Sequence, residues 1–198
     1  MTHEKQQRVL RFWFGDDPLK PLANRSLWFA RSAEVDSMIR ERFEPLLSEA
    51  ATGAFDDWAK TKDGALALVV LCDQFPRNMY RDDEEAFRYD DRSLRAAQIA
   101  IDHGLDKGMS VVERVFLYLP FEHSENIDVQ NRSVELYQEL MEEARDEERS
   151  FIQEALDYAL RHREIIAKFG RFPHRNDLLG RSSTKDEIEF LKRPGSAF

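Results

Sequence analysis

The chain has 198 residues and a formal net charge of −9, with 42% hydrophobic and 34% charged residues. That length allows one or two domains around a sizeable core, and the balance excludes a disordered chain. The negative charge disfavours nucleic acid as a general partner, because phosphate backbones are repelled. The single Cys72 cannot close an internal disulfide, which fits a reducing compartment.

The N-terminal "MTHEKQQRVLRFWFGDD" lacks the charged-then-apolar order of a signal peptide. The longest apolar run, residues 65–72, falls far short of the ~20 residues that cross a bilayer. We therefore expect a cytoplasmic protein with no membrane partner. The segment 15–26, "GDDPLKPLANRS", reads as a long surface loop. After it, Val35, Ile39, Phe43, Leu46 and Ala50 recur at helical steps, with Ser32 as N-cap and Gly53 as stop.

From Ala65 to Cys72 the sequence is apolar on every side, which predicts a helix through the centre of the fold. A buried strand is the competing reading; the alanine content and the lack of other strand signals favour helix. Leu94, Ala97 and Ile101 form the next face, closed by Gly104. Ser110 with Glu113, and Thr184 with Glu187, have capping-box spacing. Two further seams are Ile127, Gln130, Val134, Tyr137, Met141, Ala144 and Phe151, Ala155, Tyr158, His162, Ile165, Phe169. No alternating strand pattern or Asn-Gly hairpin turn occurs. The prediction is one all-α domain over residues 1–198, a compact array of about eight to ten antiparallel helices, with no clean repeat of about 34 residues.

Phe-Pro followed by Arg and Asn occurs twice, in "DQFPRN" (73–78) and "GRFPHRN" (170–176). Proline interrupts the helical ladder, so each stretch reads first as a stop, its phenylalanine packing the helix end and its arginine donating to freed carbonyls. Asp73, a carboxylate near the C-terminal end of the most apolar helix, opposes the helix dipole and needs a partner; Arg77, four residues on, is the economical one. "YLPFEHSE" (118–125) supplies a third proline break. There the stripe Val112, Phe116, Leu119 extends to His123, as the later seam extends to His162. A histidine on an apolar face is more often a satisfied core residue than a ligand. Two of them, each beside a glutamate (Glu122, Glu164), raise the prospect of a shared site.

His123, His162 and His174 with Glu122 or Asp73 have the chemistry of a zinc shell. They lack H-x-x-x-H, H-E-x-x-H or C-x-x-C spacing, and the nearby arginines repel a cation. No metal and no cofactor is expected. There is no nucleophile elbow, phosphate loop or dinucleotide fingerprint, and Cys72 reads as a small buried apolar residue.

"RFWFG", "LALVVLCDQFPRNMYR", "FLYLPFEHSE" and "HREIIAKFGRFPHRNDLLGRSS" resemble the signature segments of a widespread bacterial family that carries a domain-of-unknown-function label. The resemblance runs from Leu10 to the "FL" at 190–191. It implies an all-helical fold similar to tetratricopeptide-repeat superhelices, and it transfers no catalytic residue.

Two functions of different class fit these residues. In the first, Arg77, Arg171, Arg175, His123, His162 and His174, with Asp73 and Glu122, line a pocket for a small carboxylate or phosphate, or an acidic peptide. In the second, Glu122 and His123 supply acid–base chemistry, as in a hydrolase, on an anionic substrate. Trp13 and Trp28 would wall either site, but read better as core aromatics. We expect all three proline breaks to meet in one anion-binding pocket.

Overall fold

The computed structural model describes residues 2–17, 22, 24–29 and 31–196; of the expected loop over 15–26, residues 18–21 and 23 lie outside them. In chain order the described helices are α1 (Thr2–Phe14), α2 (Arg25–Phe29), α3 (Ala33–Ala51), α4 (Lys62–Val69), α5 (Phe75–Met79), α6 (Asp90–Asp102), α7 (Val111–Glu122), α8 (Ile127–Glu143), α9 (Asp146–Phe169) and α10 (Lys185–Leu191). No strand occurs among the described residues, and the fold is all-α. Helix lengths run from 5 to 24 residues without a recurring pair, in keeping with the missing repeat. No helix among the described residues is long and apolar enough to cross a membrane. The chain divides into two compact units, Met1–Arg81 with Glu85–Pro120, and Asp82–Glu84 with Phe121–Phe198.

The first unit is built on the apolar run. Residues Ala65 to Cys72 are at most 2% exposed, so the run is a central helix. α4 packs against α1 and α6, and α5 against α3. Phe75 joins these helices: its ring meets Phe43 at 4.6 Å, Trp13 at 5.6 Å and Phe12 at 5.8 Å. Trp13 and Trp28 are core aromatics, as expected, and the Trp28 indole donates to Trp13 O at 2.7 Å.

The first Phe-Pro does not stop its helix. Pro76 has no N–H and would clash with the carbonyl four residues back in an unbroken α-helix. A π turn over Val70–Gln74 absorbs the mismatch, with the Phe75 N–H reaching back five residues to Val70 O. Pro76 then sits in the first turn of α5, where no N–H is needed, and the helical run continues to Met79. Pro120 likewise lies within α7, which ends only at Glu122.

In the second unit α8 packs along α9, and α10 against a short 3₁₀ turn, Pro173–Arg175. The stop of α9 comes from glycine, before the second Phe-Pro is reached. Gly170 has φ +69°, a left-handed conformation that suits a residue without Cβ, and its N–H caps Ile166 O at 2.8 Å. Phe172 follows in extended conformation, and Pro173 opens the 3₁₀ turn. The α9 seam is also rotated from the expected one. Tyr158 is 49% exposed, and the buried face is Phe151, Ile152, Ala159, His162, Ile165 and Ile166. Exposed Ile127 likewise leaves the α8 seam.

The capping predictions hold. Ser32 accepts from Val35 N, Ser110 and Glu113 bond reciprocally, and so do Thr184 and Glu187.

Candidate functional site

In the first unit, Asp73 is fully buried in the π turn. Its carboxylate accepts from Gln74 Nε2 at 2.5 Å and stands 3.4 Å from Arg77 Nη1, the pairing expected from their spacing. The Arg77 guanidinium is committed inside the unit. It bonds both oxygens of Asp90, at 2.8 and 3.0 Å, and donates to Asp73 O and Ala86 O. Its charge therefore braces the π turn against the start of α6. Burial pushes the Cys72 thiol up to about 12, so it is no nucleophile at neutral pH.

The second unit gathers three of the expected residues around one ring, Phe172, and two more beside His162. The end of α7 supplies Glu122 and His123, α9 supplies His162, and the 3₁₀ turn supplies His174 and Arg175. The rings of His162 and His174 lie 5.4 and 5.6 Å from that of Phe172, and the Arg175 guanidinium stands over it at 4.5 Å. The His123 ring is 6.2 Å from that of His162. His162, 3% exposed, places Nδ1 2.8 Å from Tyr158 O and 3.3 Å from Glu122 Oε1. A carbonyl only accepts, so Nδ1 carries the proton and Nε2 presents a lone pair. Burial, and then the positive potential of His123, push this imidazole down to about 3, so it is neutral at physiological pH. Glu164 is exposed and plays no part; the carboxylate beside His162 is Glu122.

Two residues that the sequence reading passed over hold this cluster in place. Glu125 accepts from Phe172 N at 2.8 Å and takes the Arg181 guanidinium on both oxygens at 2.6 and 2.9 Å. Burial pushes Glu125 up, but the Arg181 and Phe172 hydrogen bonds outweigh it and hold the carboxyl below its ordinary range. Arg181 also donates to Phe172 O and Asn176 Oδ1, pinning the 3₁₀ turn. Both residues stand inside the quoted motifs, Glu125 closing "PFEHSE" and Arg181 in "LLGRSS". Their signal was motif membership. Gln130 donates to Glu122 O and Ser124 O, at 2.6 and 2.7 Å, and so fixes the chain at the end of α7.

Arg171 is engaged elsewhere in this unit. Its guanidinium grips both oxygens of Glu187, at 2.7 and 2.8 Å, and Ser182 O. The Arg171 hydrogen bond holds Glu187 down to about 2 and ties α10 to the end of α9.

Two open clefts mark the surface of the unit. One, of 370 Å³, is lined by residues that include Glu125, Asp128, Ile166 and Gly170. The other, of 500 Å³, is lined by residues that include Lys168, Arg171 and Glu187. Neither is lined by the histidines, so the cluster is a partly buried feature beside the first cleft, which shares Glu125 with it. Among the described residues, no group of three or more His, Cys, Asp or Glu side chains is placed to hold a metal ion.

The family model described as a bacterial protein of unknown function (DUF924) matches residues 9–195. A solved structure of a protein of unknown function from Agrobacterium tumefaciens is 34% identical, with a TM-score of 0.82; the match covers 97% of this chain and 99% of that one. No curated protein matches the chain.

Proposed function

We propose a function for a chain that belongs to the bacterial family of unknown function DUF924: it binds a small anion, a carboxylate or a phosphate, at the histidine–arginine cluster of its second unit. The observation that supports this is the gathering of His162, His174 and Arg175 about the Phe172 ring, with His123 against His162. Arginine suits the role because its planar fork matches carboxylate and phosphate oxygens, and an aromatic face beneath it orders the fork. Arg77 grips Asp90 in the first unit and Arg171 grips Glu187 at α10, so neither is among the residues gathered at Phe172.

The test is a thermal-shift screen of phosphorylated and carboxylated metabolites against the wild type, Arg175→Gln and Arg175→Lys. Circular dichroism checks that the variants fold. A compound that binds here stabilises the wild type, loses about ten- to a hundredfold in affinity with Arg175→Gln, and recovers little with lysine, which keeps the charge without the fork. Equal stabilisation of all three proteins, or of none, overturns the reading. Turnover of a stabilising compound would convert the binding site into an active site.

A further inference from the structure

We infer that the 500 Å³ cleft at the end of α9 is a second site, independent of the histidine cluster, and that it takes a free α-amino acid with an apolar side chain.

The described residues that line this cleft are Lys168 and Phe169 from the end of α9, Arg171 just beyond it, and Thr184, Asp186 and Glu187 around the start of α10. Its volume falls within the roughly 300–1,000 Å³ usual for small-molecule sites. Arg171 and Glu187 grip each other through two hydrogen bonds, so these two charges are spent on the fold. Lys168 and Asp186 are not spent in this way. Both are exposed, and neither forms an ion pair with any described residue. The cleft thus offers one available cation and one available anion that do not close on each other.

The remaining lining suits a ligand that joins the two. The Lys168 ammonium stands 4.8 Å from the centroid of the Phe169 ring and 6.0 Å from that of Phe190, and the two rings pack at 5.1 Å. Ring faces orient an ammonium without neutralising it, so Lys168 keeps its charge for a carboxylate. The Thr184 hydroxyl accepts from Glu187 N, and its own proton is left to donate. Half-buried Phe169 supplies apolar surface for a side chain. A ligand of one sign is poorly matched here. An anion at Lys168 meets Asp186 and Glu187 in the same cleft, and a cation at Asp186 meets Lys168 and Arg171. A zwitterion answers both free charges and adds no net charge of its own. An α-amino acid carries the two charges and an apolar group on a single carbon.

The probes are L-phenylalanine, 3-phenylpropanoate, which lacks the ammonium, and 2-phenylethylammonium, which lacks the carboxylate. Isothermal titration calorimetry at pH 7 measures each against the full-length wild type, Lys168→Gln, Asp186→Asn and Arg175→Gln. Circular dichroism checks that the variants fold. L-Phenylalanine is expected to bind the wild type about tenfold tighter than either single-charge probe. Lys168→Gln is expected to lose the preference over 2-phenylethylammonium, and Asp186→Asn the preference over 3-phenylpropanoate. Arg175→Gln is expected to bind L-phenylalanine as the wild type does, which separates this cleft from the histidine cluster. Either single-charge probe binding the wild type as tightly as L-phenylalanine overturns the inference, because one of the two charges is then idle. So does binding that survives unchanged in both Lys168→Gln and Asp186→Asn, or that is lost in Arg175→Gln, because the ligand then sits elsewhere. No binding of L-phenylalanine at millimolar concentration overturns it as well.

Discussion

His162 shows how burial decides the behaviour of a single residue. Its folded-state value of about 3 lies below the ordinary 6.5 because a charged ring would lose its water, and His123 adds repulsion. The unfolded chain binds this proton first as the pH falls, and the folded chain resists it. Stability from this group is therefore complete above about pH 6.5 and is lost progressively toward pH 3, with about 2 kcal/mol gone by pH 5. Urea unfolding at pH 7 and pH 5 checks this. The wild type is expected to lose that increment, and His162→Gln, which has no proton to take up, is expected to show a correspondingly smaller drop. The inward position of His162 was legible from the apolar stripe. Its carboxylate neighbour was not: Glu164, two residues on, points elsewhere on the helix, and Glu122 arrives from another element.

At the scale of elements, the prolines were visible and their consequences were not. A proline ends a helix only if nothing holds the chain in helical form beyond it. Around Phe75 the ring contacts with Phe12, Trp13 and Phe43 do hold it, and the π turn supplies the register that proline requires. At the end of α9 the left-handed residue is Gly170, and a Cβ there would touch nothing within 4 Å. Gly170→Ala thus isolates backbone strain from crowding. It is expected to cost about 1–2 kcal/mol, and Gly170→Asn less, because asparagine tolerates the left-handed region. Thermal or urea midpoints of the two variants measure the difference; an alanine variant as stable as the wild type would show that the turn relaxes without cost.

On the scale of the whole molecule, the first unit depends on the run from Ala65 to Cys72, where no side chain has an exposed face to yield. Leu71→Ala should therefore leave a cavity that cannot collapse toward solvent and lower stability by about 2–5 kcal/mol. The measure is the urea midpoint at unchanged m-value; a loss below about 1 kcal/mol would mean that the run is not the centre of its core. That centre, the all-helical class and the caps at Ser32, Ser110 and Thr184 were determined by the sequence alone, because composition, helical period and short-range hydrogen bonds act within a few residues. Only the tertiary structure decided which arginines are already neutralised and which histidines meet. Arg77 finds Asp90 across 13 residues, Arg171 finds Glu187 across 16, and Arg181 finds Glu125 across 56. Electrostatic pairing depends on distance in space, which the folded backbone sets and the order of residues along the chain does not.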